Sequence, residues 1–452
     1  MDGGTDTAAD TFVDASADTL ANDTGTTPET LPDADSDANL AFGPFSGPWR
    51  RLSGFPAACN LLVPDNLGTQ VPPLVWTACT SGRTGCTHEY ADWSVVPGRK
   101  FVFGQQPDGF RMINGSPYMV YSRLWPSPTA LQQAQYFMEV VQTTDGTVQF
   151  AYTNNLSDHC GVGLGAGTAG VALVGGSDTL ASTEIMGFSK WASVNSFDVQ
   201  LVVYSAFGRP YLSGGDFDSD YWFNFADSSG MSGYGFTIYS PTTHSVVNPY
   251  VSTLPHTAID ALTHDGAYLT RTDQTAFDFM DRLTGVETLV RQAAAGQVVA
   301  VVEVDRSSGD VPVWTETAAG SAVTSLTLYT GSHATAAATL ATKTVGTIAV
   351  AESAYSPVSM LANAGYVLQQ TSMTSAVVVR LSDGMGWTVS SEATEGFSQA
   401  LWVDATEAWF ATSPLKSPGG TPFLPSDIYN TPTGIMRIRL DSLGAISKVL
   451  GP

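Results

Sequence analysis

Four aspartates in one short stretch form the strongest candidate metal site in the sequence. Asp216, Asp218, Asp220 and Asp227 occupy positions 1, 3, 5 and 12 of a calcium-loop pattern in the run GGDFDSDYWFNFAD. Hard Ca²⁺ binds several oxygens from one short turn, and this spacing supplies them. Tyr221 stands where a calcium loop needs glycine at position 6. Because alternate residues of a strand share one face, the acids also fit the solvated side of a hairpin, and both interpretations stay open.

The same stretch carries candidate ligand-binding aromatics. The chain has ten Trp and sixteen Tyr, and most of them are expected to pack in the core because aromatic side chains bury large areas. Tyr211, Tyr221 and Trp222 lie instead in a Gly- and Asp-rich segment. We predict that they are exposed and stack on an extracellular glycan or a protein ligand.

Four cysteines suggest a disulfide rather than a metal centre. Cys59, Cys79 and Cys86 cluster in the N-terminal part and Cys160 follows later. A zinc ribbon needs two close Cys pairs or accompanying His pairs, and only His88 lies near. We predict a disulfide between Cys79 and Cys86, which export would permit. Four cysteines allow three pairings, and the sequence does not choose the partners of the other two.

No motif for nucleophilic, phosphoryl or nucleic-acid chemistry is evident. The six histidines are scattered, no Gly-x-Ser-x-Gly elbow precedes a helix, and no P-loop occurs. Acids outnumber bases 42 to 19, giving a net charge of -23, which disfavours contact with a phosphate backbone. The sequence therefore favours a binding protein over an enzyme and names no catalytic residue.

The first forty residues carry a dense negative charge. They contain ten acids and no Lys, Arg or His, and acids that recur at every fourth position from Asp2 to Asp18 would repel one another on a helix. Few large apolar side chains are present to offset the ordering entropy. We predict a disordered acidic linker over 1–43 and a folded domain over 44–452. The linker either tethers the domain away from a membrane or wall or serves as a solubilising tail.

The cellular compartment of the protein is predicted from weaker signals. The chain starts without a signal sequence, and no apolar run reaches the roughly 20 residues that span a bilayer. A cytosolic protein and an exported protein whose signal has been removed both fit this start. The acidic linker favours the exported form.

The folded part is rich in strand patterns. Alternating apolar runs bounded by Gly, Asp, Ser and Pro recur every 8–12 residues. Helical periodicity is limited to 128–137 and to 277–293, and the second segment fits two strands around Thr284–Gly285 equally well. The sequence thus predicts an all-β fold.

A longer repeat indicates a propeller. Three units, 258–290, 358–390 and 398–449, each contain the strands and charged turns of a four-stranded blade. Dividing about 410 residues by roughly 50–60 per blade predicts a seven-bladed β-propeller. We expect the segment 48–63 to give a strand to the last blade, which would remove two open sheet edges. The alternative is two β-sandwich domains divided near 208–256.

These features together resemble predicted secreted β-propeller lipoproteins of myxobacterial type. The resemblance is carried by Trp49, by the Cys59–Trp76–Cys79–Gly85–Cys86 run, by the acidic linker and by the blades. It implies export and an N-terminal lipid anchor, as in an outer-membrane lipoprotein. The sequence departs from the pattern at its start, where Met1 replaces the lipidated cysteine.

The leading functional hypothesis is an exported, surface-tethered binding or scaffold module that uses loops at one end of a channel. No cofactor is expected except Ca²⁺ at the aspartate stretch. The first alternative is a propeller-fold hydrolase or lyase acting on extracellular glycans. The second is a structural surface or filament subunit made of β-sandwiches.

Overall fold

Seven antiparallel sheets make up the described part of the protein, and four of them consist of four strands in chain order. The computed structural model describes the strands between residues 39 and 262 and, from 263 to 451, all residues except 264, 282–283, 321–322, 333–340, 351–358, 393–394 and 416–433. Side chains are described for His88 and for most residues from 260 onward. Within this described part, no helix has the length and hydrophobicity to cross a membrane.

The first half of the chain forms three sheets. The first sheet has seven strands in the order β1-β2-β3-β9-β8-β7-β6, and the next two have four strands each in chain order. Their bounds, with the separate pair β4 and β5, are β1 Asn39–Phe42, β2 Phe45–Arg51, β3 Leu62–Pro64, β4 Val75–Ala78, β5 His88–Asp92, β6 Pro107–Ile113, β7 Ser116–Trp125, β8 Gln135–Gln142, β9 Val148–Asn155, β10 Cys160–Ala166, β11 Gly170–Ser177, β12 Thr183–Lys190, β13 Asp198–Val203, β14 Tyr211–Asp218, β15 Tyr221–Asp227, β16 Tyr234–Ser240 and β17 Ser245–Val251.

The second half continues the pattern with four more sheets. Two have four strands in chain order, one runs β26-β27-β28-β29-β33, and the last runs β30-β31-β32-β5-β4. The bounds are β18 His256–Leu262, β19 Gly266–Arg271, β20 Ala276–Asp281, β21 Glu287–Gln292, β22 Gln297–Asp305, β23 Val311–Ala318, β24 Ser325–Gly331, β25 Thr342–Ala349, β26 Met360–Asn363, β27 Tyr366–Gln370, β28 Ser375–Arg380, β29 Met385–Ser390, β30 Glu395–Val403, β31 Glu407–Pro414, β32 Gly434–Arg439 and β33 Ser447–Lys448.

Local sequence explains the hairpins. β28 reads SAVVVR, a β-branched run whose four central residues are buried. The β26–β27 hairpin turns through Ala364 and Gly365, with φ of 53° and 79°, which is the positive-φ geometry of a two-residue hairpin loop. Short turns of this kind keep consecutive strands of a sheet paired.

The core lies between facing sheets. One cluster joins Tyr268 and Phe277 of the β18–β21 sheet to Trp314 of the next sheet. The following seam is filled by aliphatic residues of β22–β25 and β26–β29. The third seam packs Phe397 against Phe410, with ring centroids 3.9 Å apart, beside residues of β27 and β28. Each described sheet from β18 onward therefore buries a layer against its neighbour.

The first strands of successive sheets also meet. β22 contacts β18 and β26, β26 contacts β30, and β30 contacts β6 of the first sheet. β10 likewise contacts β7 and β14. This consecutive arrangement of sheets suits a propeller better than two sandwiches, whose Greek-key strands cross between sheets.

A C-terminal strap ties three sheets together on their outer side. After β32, a 3₁₀ turn at Leu440–Leu443 leads to β33, which pairs with β29. Gly451 then bridges Thr347 of β25. Leu450 is 6% exposed and packs over Gly346 and Gly384, where an added Cβ would lie 2.9 Å and 3.3 Å from its atoms. We refer to residues 445–451 as the strap.

Several sequence-based expectations need correction. The strand that pairs with β32 is β5, not the 48–63 segment, which supplies β2 and β3 to the first sheet. The structure describes β1 at Asn39–Phe42, and the division into a linker over 1–43 and a domain over 44–452 stays a prediction. The 277–293 segment forms two strands around Gly285, as one of its two interpretations stated. The helical interpretation of 128–137 is wrong at its end, where β8 begins at Gln135.

Candidate functional site

The predicted aspartate and aromatic residues lie on one hairpin but at both of its ends. Asp218 pairs with Tyr221 next to the β14–β15 turn, and Asp216 pairs with Phe223. Tyr211 pairs with Asp227 at the opposite end, six residues away along β15, or about 20 Å.

The register therefore brings Asp216, Asp218, Tyr221 and Trp222 together and keeps Tyr211 and Asp227 apart from them. Asp220 lies outside the described residues. The calcium site and the aromatic ligand site stay predictions.

The predicted disulfide is not covered by the structure. Cys79 and Cys86 lie outside the described residues, and Cys160 is the first residue of β10. The link between Cys79 and Cys86 therefore stays a prediction, as do the partners of Cys59 and Cys160.

The best-defined polar arrangement lies where first strands turn into second strands. We call it the turn face and define it by the turns at 305–310, 364–365 and 403–406. At its centre, Asp305 is fully buried at the end of β22. Its carboxylate accepts hydrogen bonds from Ser307 Oγ (2.8 Å) and Ser308 Oγ (2.6 Å) of its own turn.

Asp305 also reaches the neighbouring sheet. Its two oxygens accept the backbone N–H groups of Ala364 (3.0 Å) and Gly365 (2.6 Å) in the β26–β27 turn. Hydrogen bonds from several donors to one carboxylate are among the stronger ones in proteins. One buried side chain thus fixes two turns of adjacent sheets relative to each other.

The next sheet is joined in a similar way. Asn363 Nδ2 donates to the carbonyl oxygen of Val403, 2.8 Å away. Beyond it, Asp404 accepts hydrogen bonds from Thr406 N (2.7 Å), Thr406 Oγ1 (2.7 Å) and Trp402 Nε1 (3.1 Å). The polar side chains that end the first strands therefore hold the turns rigid, while Ser307, Ala364, Ala405 and Thr406 are exposed at their tips.

A titratable group borders the turn face. Glu407 begins β31, and its backbone N–H donates to Asp404 Oδ1 at 2.9 Å. Burial raises the pKa of the Glu407 carboxyl, and Trp409 and Arg437 oppose the shift. Arg437 stands over the Trp409 ring at 5.8 Å. The protonated form of this carboxyl is therefore favoured at the border of the turn face.

The acidic residues of the turn face bond the turns and do not form a cluster of metal ligands. Among the residues whose side chains are described, no group of three or more His, Cys, Asp or Glu could hold an ion. The carboxylate oxygens of Asp305 and Asp404 accept hydrogen bonds from groups of the turns themselves. This arrangement was not predicted from the sequence, although its signal is a polar residue at the end of each apolar first strand: Asp305, Asn363 and Asp404.

No protein-family model matches the chain, and no curated protein is similar to it. Solved structures are similar in fold. An oligogalacturonate lyase in complex with manganese has a TM-score of 0.50 at 11% identity, covering 82% of this chain and 98% of that chain. The β-propeller domain of the Trilobed protease from Pyrococcus furiosus has a TM-score of 0.42 at 8% identity, covering 69% and 90%.

The WD40 repeats of RRP9 have a TM-score of 0.41 at 7% identity, covering 74% of this chain and 100% of that chain. Identities this low show the fold alone. The chain is all-β, and the solved structures to which it is similar include β-propellers.

Proposed function

We propose that this protein is a seven-bladed propeller that serves as a binding or scaffold module and engages its ligand through the turn face. The described strands form seven sheets, and contacts between strands of successive sheets run from β18 through β22, β26 and β30 to β6 of the first sheet. The pairing of β32 with β5 supports a ring closed by an N-terminal strand. Propellers leave a loop-lined, concave end that binds ligands.

The observation that carries the binding proposal is the rigidity of the turn face. Asp305, Asn363 and Asp404 fix their turns through hydrogen bonds of 2.6–3.1 Å, while the tips at Ala364 and Ala405 are exposed. A surface that is already ordered loses little conformational entropy when a ligand binds. Hydroxyl and backbone groups at the tips suit a neutral, hydrogen-bonding ligand such as a glycan or an extended peptide.

Ligand screening tests the proposal. The intact protein is applied to a glycan array and a peptide array, and the best ligand is then measured by calorimetry with Ala364→Arg and Ala405→Arg. Both variants should weaken binding at least about tenfold, because each places a long cationic side chain on the face. The matched control is Ala294→Arg, an exposed alanine at the opposite end of its sheet. Equal affinities for all three variants would refute the turn face as the site.

A hydrolase or lyase acting on glycans is the second candidate, favoured by Glu407 beside Asp404. Burial raises the pKa of Glu407 and so favours its protonated form, and a protonated carboxyl is the group that donates a proton to a glycosidic oxygen when a glycan is cleaved. Incubating the protein with acidic and neutral polysaccharides should release reducing ends. Glu407→Gln should abolish that release, and the absence of release from any polysaccharide would leave the binding role alone.

Export and tethering extend the same proposal. The acidic residues before the first strand, the predicted Cys79–Cys86 disulfide and the resemblance to secreted lipoproteins support them. Non-reducing peptide mapping of protein purified from its native envelope should recover the Cys79–Cys86 link. Two free thiols there would count against an oxidising compartment.

A further inference from the structure

Aromatic and charged side chains extend the turn face outward along the β26–β29 sheet and the 3₁₀ turn after β32. Their members, which we call the aromatic strip, are Tyr366, Arg380, Asp383, Trp387, Arg439 and Asp441. Leu381 N donates to Gly365 O at 2.9 Å, so the β28–β29 turn lies beside the β26–β27 turn. Leu440 N donates to Thr406 O at 2.8 Å, so the 3₁₀ turn lies beside the β30–β31 turn. The aromatic strip is therefore continuous with the turn face.

Three side chains of the strip share one face of the β26–β29 sheet. Tyr366 of β27 lies opposite Arg380 of β28. Trp387 of β29 lies opposite Val378, which is two residues before Arg380. Opposite residues of paired strands, and alternate residues of one strand, point to the same face. Tyr366, Arg380 and Trp387 therefore form a row across three strands, with the two aromatic rings 6.5 Å apart and 30° from parallel.

Hydrogen bonds order this row while it stays open to solvent. Trp387 Nε1 donates to Gly444 O at 3.0 Å, which holds the indole ring at the end of the 3₁₀ turn. Arg380 donates from Nε, at 3.1 Å, and from Nη2 to the Asp383 carboxylate. Both rings are half-buried, and the side chains of Arg380 and Asp383 are 37% and 43% exposed. A ligand therefore meets a surface whose side chains already have defined orientations.

A second arginine–aspartate pair lies on the 3₁₀ turn. Arg439 Nη2 donates to Asp441 Oδ2 at 3.3 Å, and the two side chains are 56% and 67% exposed. Leu443 of this turn packs against the same core cluster as Tyr366 and Trp387. Together the two pairs present N–H donors and carboxylate acceptors and carry no net charge.

This combination of groups has the chemistry of a sugar-binding subsite. The face of an aromatic ring is electron-rich and attracts the weakly positive C–H groups on one face of a pyranose ring. Guanidinium groups donate to sugar hydroxyls, and carboxylates accept from them. Since the two ion pairs are neutral together, they favour an uncharged sugar over a uronate. Building on the proposed role of the turn face, we propose that the aromatic strip is the subsite on which a neutral glycan stacks a pyranose ring.

Array screening of the full chain tests the ligand class. Neutral glycans, uronate-containing glycans and extended peptides are presented at equal density. The strongest signals should come from neutral glycans. Signals confined to peptides or to uronates would overturn the sugar subsite and leave the turn face as a binding surface. An absence of signal from all three classes would refute the proposed binding role together with the subsite.

Variants locate the subsite with the best neutral glycan, measured by calorimetry. Trp387→Ala removes one stacking surface and should weaken binding at least about tenfold, whereas Trp387→Phe keeps an aromatic face and should stay within about threefold of the wild type. The matched control is Tyr329→Ala. Tyr329 is also half-buried and stacks on a tryptophan, Trp314, at 5.5 Å in the seam between other sheets, so this variant should keep the wild-type affinity.

Arg439→Ala provides a second test that does not depend on the aromatic packing. Its ion pair is exposed and contributes little to stability, so the Tm should stay close to that of the wild type. Its affinity for the glycan should fall about threefold or more. Wild-type affinity in both Trp387→Ala and Arg439→Ala, with weakened binding in Ala364→Arg, would refute the aromatic strip and retain the turn face.

Discussion

At the scale of single residues, buried carboxylates join particular strands and sheets, and each accepts hydrogen bonds from a different arginine. Asp278 is 1% exposed and accepts two hydrogen bonds of 2.7 Å from Arg271. Glu316 joins Arg291 of the preceding sheet and accepts from Trp314 Nε1 at 3.1 Å. The hydrogen bonds to these carboxylates raise the pKa of both arginines, although burial works against the shift. These pairs specify which sheets and strands meet.

Asp305 gives the sharpest test at this scale. Asp305→Ala should lower the free energy of unfolding by about 2–4 kcal/mol, because donors in two turns lose a buried acceptor. Asp305→Asn should cost less, since it keeps one acceptor oxygen. Urea denaturation measures both, with Asp273→Ala as the control, because Asp273 is exposed and bonds only within its own turn. Equal losses for Asp305→Ala and Asp273→Ala would contradict the inter-turn role.

Glu407 predicts a specific pH dependence. Since burial raises its pKa, the folded protein binds this proton more tightly than the unfolded chain does. The resulting stabilisation is complete below the unfolded pKa and declines as the pH rises through the folded pKa. Glu407→Gln, which does not titrate, should therefore gain stability relative to the wild type between pH 4 and pH 7.

Denaturation curves at several pH values measure this difference. The exposed carboxylate Asp441 supplies the control, and Asp441→Asn should show no such trend. A Glu407→Gln difference that stays constant with pH would contradict the raised pKa.

Strands were predictable where apolar and polar residues alternate along the sequence. They were less predictable where a strand pairs with another that is distant in the sequence. The turn-bounded runs that became β8, β19, β27 and β28 were found because β-branched residues and short Gly or Asp turns mark them locally. The units 258–290 and 358–390 each correspond to one sheet. β5 was missed because HEYAD carries no strong pattern, and its place depends on the free edge of β32.

The candidate site was harder to predict than the fold. Asp404 and Glu407 are visible as a pair in the sequence, but the burial that shifts Glu407 comes from packing. The strap was also missed, because a two-residue strand is too short to show an alternating pattern of apolar and polar residues.

The strap predicts a measurable contribution of the C-terminal residues. Leu450→Ala should lower the free energy of unfolding by about 2–4 kcal/mol, because it opens a cavity over Gly346 and Gly384. Val286→Ala is the control, because Val286 is 52% exposed and should change stability by less than about 0.5 kcal/mol. Chemical denaturation distinguishes them, and indistinguishable midpoints would show that the strap does not bear on stability.

At the scale of the whole molecule, the proposed ring depends on one long-range pairing. Arg437 of β32 lies directly opposite Glu89 of β5, and Ile438 lies opposite His88. His88 Nε2 also donates to Ser390 O at 2.8 Å, which joins β5 to the preceding sheet. The proposed seven-bladed closure therefore rests on a strand held by two sheets.

Cysteine cross-linking tests that closure directly. Glu89→Cys with Arg437→Cys should form a disulfide under mild oxidation, because residues opposite each other on paired strands lie within bridging distance. Glu89→Cys with Arg439→Cys is offset by two residues along β32 and should link much less. Peptide mapping identifies the bond among the native cysteines. Equal yields from both pairs would refute the register.

The β5–β32 pairing also sets the stage of synthesis at which the last sheet can be completed. The ribosome synthesises β5 long before β32, so β5 stays without this partner while all the strands between them are made. Bringing such distant segments together costs loop-closure entropy and slows folding. We expect nascent chains that lack β32 to form sheets without closing the proposed ring. Such chains should depend on chaperones while the edge of β5 is unpaired.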